Sequence, residues 1–261
     1  MSYTKTSTEV TTFTKELLDV RVFTTREEMG KEAAINVSET IQQLLKERDE
    51  INMIFAAAPS QGDFMQELIA DKTIEWEKIN AFHMDEYIGL EKDAPQGFGN
   101  FLRKRIFERV PFKSVHYING LANDTTAECE RYAQLLLQYP VDIVCLGIGE
   151  NGHIAFNDPP VADFNDPKLV KVVELEIACR QQQVNDNCFT TIELVPEKAF
   201  SLTIPALMRA SYMFCIVPTL FKAEAVRKTL NDPVSEKCPA TILRTKEDAL
   251  LYLDADSASL L

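Results

Sequence analysis

Short apolar segments alternate along this chain with longer segments whose apolar residues recur at helical spacing. Apolar segments typical of strands lie at residues 18–23, 52–57, 79–84, 141–148, 200–204, 212–217 and 249–253. Helical patterns occupy residues 25–45, 63–70, 98–107, 125–139 and 221–230. Strands that alternate with helices form βαβ units, so we expect an α/β protein with a doubly wound, mostly parallel sheet flanked by helices.

The domain organisation predicted from this pattern is simple. No internal repeat, low-complexity segment or linker divides the 261 residues, of which 46% are hydrophobic and 26% charged. This composition is typical of a globular protein. We therefore expect a single domain over residues 1–261, with residues 1–17 as an N-terminal extension. Thr25, followed three residues later by Glu28, predicts a capping box at the start of the first helix.

Charge and cysteine content exclude several classes of protein. The chain has 40 acidic and 27 basic residues, a net charge of -13, which argues against nucleic acid as a partner. None of the six cysteines forms a C-x-x-C pair, so they are expected to be reduced thiols. No apolar run approaches the ~20 residues of a membrane span, and the N-terminus lacks the apolar core of a secretory signal. We expect a cytoplasmic protein that does not bind a membrane.

Polar residues follow three of the predicted strands. They occupy residues 58–63, 85–87 and 149–158, each directly after an apolar segment. In doubly wound sheets ligands bind beyond the carboxyl ends of the strands. We therefore expect these three segments to converge on one site at one edge of the sheet.

His153 is the first candidate catalytic residue. Gly149 and Gly152 flank it and allow tight turns that would direct its side chain into a cleft. Imidazole is well suited to proton transfer near neutral pH, and Asp158 could orient the ring as a carboxylate orients a catalytic base. The alternative is a surface histidine in an ordinary turn.

Asp85 is the second candidate. A carboxylate at the end of a strand can remove a proton next to a carbonyl group. Two consecutive acids, Asp85 and Glu86, are also common in solvated loops, and residue types alone leave both interpretations open.

Two segments carry a resemblance to a known family. Residues 82–90 (FHMDEYIGL) resemble the MDEY segment of glucosamine-6-phosphate deaminases, and residues 147–159 (GIGENGHIAFNDP) resemble their GxGxxGHIxFNEP loop. The similarity extends weakly from about residue 18 to the C-terminus. It implies a Rossmann-like fold and an enzyme of the deaminase-like hydrolase/isomerase type. Such an enzyme converts an amino-sugar phosphate to a ketose phosphate and ammonia, without an organic cofactor or a metal.

The resemblance also implies roles for individual residues. Asp85 would move a proton between C2 and C1, and His153 would assist opening of the sugar ring. Asn151 and Asp158 would support the histidine. The candidate residues for binding the sugar or its phosphate are Ser60, Gln61, Gly62, Glu86, Gly149, Gly152 and Lys222, with Arg180 as a substitute anchor.

The sequence departs from the family where the phosphate should bind. The family has a Gly/Ser/Thr-rich loop whose N–H groups hold the phosphate. Here Pro59 lacks an N–H group, and Asp63 would repel a phosphate. Cys188 stands where the family has an arginine, whereas Lys222 matches its lysine. One hypothesis is that the substrate is a sugar without a phosphate, or that Arg180 and Lys222 hold the phosphate elsewhere. The other is a remodelled loop that still binds glucosamine 6-phosphate.

Two other functions compete with a deaminase. A lactonase of the 6-phosphogluconolactonase type would share the fold, and a non-catalytic sugar-binding sensor would need neither Asp85 nor His153. The three histidines, His83, His116 and His153, show no metal-ligand spacing. A homo-oligomer is compatible with the sequence, which does not determine the oligomeric state.

Overall fold

The computed structural model of the protein describes residues 10–261, so residues 1–9 of the predicted N-terminal extension lie outside the described part. Its strands are β1 (Thr11–Lys15), β2 (Leu18–Phe23), β3 (Ile51–Phe55), β4 (Ile79–His83), β5 (Asp85–Tyr87), β6 (Ser114–His116), β7 (Ile143–Leu146), β8 (Val170–Glu174), β9 (Lys198–Leu202), β10 (Tyr212–Val217) and β11 (Ala249–Asp254). Its helices are α1 (Arg26–Leu45), α2 (Gly62–Ala70), α3 (Phe98–Leu102), α4 (Thr125–Gln138), α5 (Ile177–Asn185), α6 (Ile204–Met208) and α7 (Ala223–Asn231).

The central sheet has eight strands in the order β1-β2-β11-β10-β7-β3-β4-β6. Every neighbouring pair is parallel except β1 and β2, which are antiparallel. Strands β5, β9 and β8 form a separate antiparallel sheet. The mostly parallel α/β fold predicted from the alternating pattern is therefore confirmed.

Two apolar clusters cover the two faces of the central sheet. One contains the buried residues of α1, α2 and α3, and the other contains those of α4, α6 and α7. Successive residues of β3 alternate between them, because Met53 and Phe55 join the first cluster and Ile54 joins the second. This explains why the strand is apolar throughout, as parallel strands covered by helices on both faces usually are.

The start of α1 follows the predicted capping box. The Thr25 hydroxyl accepts from the Glu28 N–H group, and the Glu28 carboxylate accepts from the Thr25 N–H group. Each side chain thus satisfies a donor that the helix leaves free.

Several elements were not predicted. Strand β1 lies within the supposed extension, so at least residues 11–15 belong to the sheet. Strand β5 consists of residues 85–87, which carry two acids and were not predicted to form a strand. The polar sequence did not predict this strand. Its pairing with β9 and the burial of its carboxyl groups depend on residues that are distant in the sequence.

Two further predictions concern thiols and membranes. All six cysteines are free thiols, as expected. Among residues 10–261, no helix combines the length and the apolar character needed to cross a membrane.

Candidate active site

A cavity opens at the carboxyl ends of the central strands, where the strand order reverses between β3 and β7. This is the position at which doubly wound sheets bind ligands. The segments after β3, β4 and β7 all contribute to its wall, as the sequence predicted, and the turn after β10 closes it. The polar side chains at the wall belong to Arg26, Ser60, Asp85, His153, Gln182, Gln183, Asp186, Thr219 and Lys222.

His153 is held in one orientation by two acceptors. Its Nδ1 atom lies 2.7 Å from Asn151 Oδ1 and 2.9 Å from Asp158 Oδ1. Since both neighbours accept hydrogen bonds, Nδ1 carries the proton. The Nε2 atom has no hydrogen-bond partner within residues 10–261 and is left for a ligand in the cavity.

Asn151 and Asp158 form a buried network behind this histidine. Asn151 Nδ2 donates to Asp158 Oδ1 at 2.9 Å and to Glu176 Oε2 at 2.8 Å. Burial raises the pKa of Asp158, but the hydrogen bonds and charge of His153 and the hydrogen bond from Asn151 outweigh it, so that the pKa lies below its usual value. Asp158 therefore stays ionised and can stabilise a protonated His153.

Asp85 has the opposite environment. Its side chain is 6% exposed and makes no hydrogen bond within the described residues. Burial, and then the charge of Glu86, raises the pKa of Asp85 well above its usual value. A carboxyl group in such a site is a basic carboxylate once ionised, as proton abstraction requires.

His83 fixes the backbone of Asp85. Its Nε2 atom accepts from the Ile118 N–H group at 2.9 Å, so its Nδ1 carries the proton and donates to the Asp85 carbonyl oxygen at 2.9 Å. Burial lowers the pKa of His83 to about 4, which keeps this arrangement neutral. Sequence reasoning gave His83 no role, because its two partners are set by tertiary structure.

Gly149 leaves the space in which the His153 ring lies. A Cβ atom at Gly149 would come within 2.1 Å of Cε1 and 2.3 Å of Nδ1 of that ring. We expect Gly149→Ala to displace the His153 imidazole. A displacement of a reacting group by ~1 Å can lower kcat by about 10²-fold, which is the loss that we expect. Steady-state kinetics of the purified variant measures this effect.

Gly62→Ala is the matched control. A Cβ atom at Gly62 meets nothing within 4 Å, and the backbone there is already helical. This variant should keep the wild-type kcat. If Gly149→Ala also keeps it, the ring position does not govern turnover.

The loop after β3 differs from a phosphate-binding nest. Ser60 lines the cavity, but Gln61 and Gly62 do not. Gln61 is fully buried, and its Nε2 atom donates to the Ile216 carbonyl oxygen at 2.9 Å, which ties the loop to β10. Gln61 thus has a structural contact where the resemblance implied a substrate contact.

Glu86 and Gly152 also lie behind the cavity wall. The Glu86 carboxylate accepts hydrogen bonds from the N–H groups of Tyr87, Phe98 and Gly99 and so anchors the start of α3. Gly152 adopts a φ of 88°, which favours glycine, and a Cβ atom there would meet the Cys238 sulfur at 2.6 Å.

Lys222 is buried in the cavity wall without a hydrogen-bond partner among residues 10–261. Its side chain is only 6% exposed. Burial lowers the pKa of Lys222, while the charges of Asp186 and Glu150 oppose that shift. The turn that carries it is fixed by Asp254, whose two carboxylate oxygens accept from the Thr219 N–H group. An unpartnered ammonium at this place favours an anionic ligand.

Arg180 does not reach the cavity. Its Nη2 atom donates to the carbonyl oxygens of Ile192 and Val195 at 2.9 and 3.0 Å, and Nη1 lies 3.8 Å from Glu197. The sequence suggested that Arg180 and Lys222 hold a phosphate together. The structure does not bring these two side chains together. Arg180 had been considered as a substitute for the arginine that Cys188 replaces, but its long side chain instead reaches the turn at residues 192–195.

Arg26 is a cavity residue that sequence reasoning missed. It forms an ion pair with Asp63 and donates through Nη2 to the Pro59 carbonyl oxygen at 3.0 Å. Asp63 was expected to repel a phosphate as an unscreened charge. That expectation was wrong, because the carboxylate is paired with Arg26 and lies outside the cavity wall.

Three side chains, one at the cavity wall and two outside its lining, bring potential metal ligands together. Potential ligand atoms of His153, Asp158 and Cys179 lie within 4.8 Å of one another, and all three residues are buried. Burial, followed by the nearby Asp158 carboxylate, raises the pKa of the Cys179 thiol well above its usual value. A metal ion bound here would have to displace the proton of this thiol, because metal ligation requires a thiolate.

Comparisons with known proteins place this chain in a family. The family model described as glucosamine-6-phosphate isomerases/6-phosphogluconolactonase matches residues 24–252. A glucosamine-6-phosphate deaminase of Streptococcus pyogenes serotype M1 is 32% identical over 204 residues, 78% of this chain and 85% of the relative. A solved monomeric glucosamine-6-phosphate deaminase is 32% identical with a TM-score of 0.83, covering 93% of this chain and 99% of its own. The 6-phosphogluconolactonase of Trypanosoma brucei, 17% identical, shares the fold with a TM-score of 0.75 over 96% of this chain and 100% of its own. The chain thus belongs to the glucosamine-6-phosphate isomerase/6-phosphogluconolactonase family.

Proposed function

We propose that this protein is an aldose–ketose isomerase and deaminase that converts a hexosamine phosphate and one water molecule to a ketose phosphate and ammonia. The observation that carries the proposal is the pairing of two groups at one cavity. Asp85 is a buried carboxyl group without a hydrogen-bond partner, and His153 is held by its Nδ1 atom so that Nε2 is free. Together they can perform a proton transfer between adjacent carbons and a ring opening.

Asp85 acts as the base in this mechanism. Isomerisation of an open-chain amino sugar removes a proton from C2 and returns one to C1. The raised pKa of Asp85, caused by burial, disfavours its ionised form in the empty cavity. A substrate ammonium group at C2 would supply the missing opposite charge and favour the carboxylate, because a cation within ~4–6 Å lowers the pKa of an acid.

His153 acts on the closed ring. Its free Nε2 atom can accept the proton of the anomeric hydroxyl and then donate that proton to the ring oxygen, as the bond between C1 and the ring oxygen breaks and the C1 carbonyl forms. The charge that develops on the imidazole between these two transfers is stabilised by Asp158, whose Oδ1 atom lies 2.9 Å from Nδ1.

Lys222 supports a phosphorylated substrate over a free amino sugar. It is a buried cation at the cavity wall, and a phosphate would supply the hydrogen-bond acceptors that its ammonium group lacks. Of the two hypotheses raised by the altered loop, the geometry therefore favours the one in which glucosamine 6-phosphate or a close relative still binds.

Lys222→Met tests this anchor. We expect KM for glucosamine 6-phosphate to rise about 10- to 100-fold, the usual effect of losing a hydrogen bond to a charged group. Free glucosamine should bind equally well to both proteins. Lys228→Met serves as the control, because Lys228 is an exposed lysine on α7 that pairs with Glu224 outside the cavity. An unchanged KM in Lys222→Met would show that the phosphate does not bind at Lys222.

The function itself is tested by product analysis with a panel of substrates. The wild-type protein is incubated with glucosamine 6-phosphate, galactosamine 6-phosphate, free glucosamine and 6-phosphogluconolactone. We expect ammonia and a ketose phosphate from a phosphorylated hexosamine, and little acceleration of lactone hydrolysis. Lactone hydrolysis without ammonia release would favour the lactonase, and binding without any turnover would favour the sensor.

A further inference from the structure

The first residue of α1, Arg26, lies in the cavity wall on the side of the loop that follows β3. Its side chain is about one-third exposed. Two contacts orient the guanidinium group, one to the Asp63 carboxylate and one to the Pro59 carbonyl oxygen. These contacts use Nε and one hydrogen of Nη2. A guanidinium group has five N–H donors, so three remain for a ligand.

Close packing of α1 on α2 brings Arg26 to this loop. Gly30 lies one turn further along α1, and a Cβ atom there would come within 3.0 Å of both Asp63 Cβ and the Phe64 nitrogen. Glycine therefore permits the close approach of the two helices. The ion pair between Arg26 and Asp63 connects their N-terminal ends.

The loop offers few donors of its own to an anion. Pro59 has no N–H group. The Gln61 N–H group donates to the Ala58 carbonyl oxygen at 3.0 Å, and the Gly62 N–H group donates to the Pro59 carbonyl oxygen. These two groups are therefore used inside the turn and cannot form the usual phosphate-binding nest.

We infer that Arg26 replaces this nest and binds the phosphate of the substrate, opposite Lys222. A guanidinium fork binds phosphate through two parallel N–H···O hydrogen bonds. Asp63 holds the fork in place, and the Ser60 hydroxyl lies at the same wall. The inference rests on the proposed function in naming a phosphorylated sugar, but the anion site itself can be tested without turnover.

The experiment measures binding of inorganic phosphate and of glucosamine 6-phosphate by titration calorimetry, and KM for glucosamine 6-phosphate and for free glucosamine. Arg26→Met should weaken binding of both phosphorylated probes about 10- to 100-fold and leave free glucosamine unaffected. Arg26→Lys should recover only part of the loss, because an ammonium group keeps the charge but not the fork.

Arg21→Met is the matched control. Arg21 has a similar exposure and also pairs with a carboxylate, Glu32, but lies outside this cavity. Its loss should leave phosphate affinity unchanged. If Arg26→Met does not fold, Arg26→Lys decides, with at least about a threefold loss for phosphate expected.

Two outcomes would overturn the inference: phosphate affinity that is unchanged in the Arg26 variants, or equal losses for phosphorylated and free sugars. The proposed function fails separately. A wild-type protein that binds inorganic phosphate through Arg26 but releases no ammonia from any hexosamine phosphate would support the anion site and contradict the proposed deaminase activity.

Discussion

Asp85→Asn is expected to lower kcat for ammonia release by about 10²–10⁴-fold, the range that general base catalysis contributes. Asparagine has the shape of the aspartate side chain but cannot accept the C2 proton. Because the Asp85 carboxyl group makes no hydrogen bond with the described residues, the substitution breaks no side-chain hydrogen bond of the folded chain. Steady-state assays with glucosamine 6-phosphate measure the loss, and retention of most activity would exclude Asp85 as the base.

The same variant should also be more stable than the wild type at high pH. Burial raises the pKa of Asp85 well above its unfolded value, so the folded state binds this proton more tightly. Its ionisation therefore lowers stability as the pH rises from the unfolded pKa of ~3.9 through the folded pKa. Asparagine removes this penalty. The gain in Tm should be small near pH 4 and larger near pH 8 in thermal scans.

Asp142→Asn provides the control for activity. Asp142 is equally buried, and burial raises its pKa as well. It lies at the opposite end of β7, where its carboxylate accepts from Arg48 and from the Asn52 N–H group. Its substitution should leave kcat unchanged, so that a loss confined to Asp85→Asn reports on the site.

His153→Gln is expected to lower kcat by about 10²–10⁴-fold through a different step. Glutamine can form hydrogen bonds but cannot exchange a proton with the anomeric hydroxyl at neutral pH. The closed sugar would then open only by its spontaneous reaction. At high concentrations of the variant, the rate should therefore reach a plateau that no longer depends on enzyme concentration.

His116→Gln controls for the loss of a histidine. His116 stacks on Phe82 and contacts Ser114, away from the cavity. The His116→Gln variant should keep the wild-type kcat, and its rate should show no plateau as the enzyme concentration rises. A rate that rises in proportion to the concentration of His153→Gln, at near wild-type kcat, would show that His153 does not open the ring.

The central sheet could be predicted from the sequence because its strands are continuous apolar segments. Residues 52–57 and 141–148 stand out for this reason, and both became parallel strands at the point where the strand order reverses. That reversal places the polar segments after β3, β4 and β7 together. The position of the site thus followed from local patterns and a general rule of sheet topology.

The anion-binding side of the cavity could not be predicted in the same way. The position of Arg26 depends on the contact between α1 and α2, which residue spacing does not reveal. Arg180 was considered as a replacement for the family arginine that Cys188 displaces, but its guanidinium group binds backbone carbonyl groups of the next turn. Long charged side chains can reach several partners, so only tertiary structure decides among them.

The most direct test follows the reaction of the wild-type protein with glucosamine 6-phosphate in D₂O by NMR spectroscopy. We expect stoichiometric ammonium and a ketose phosphate in which any solvent deuterium lies at C1, and we expect Asp85→Asn to form both products about 10²–10⁴-fold more slowly. Wild-type protein that leaves the hexosamine phosphate unchanged, or Asp85→Asn that forms the same products at the same rate, would contradict the proposed mechanism.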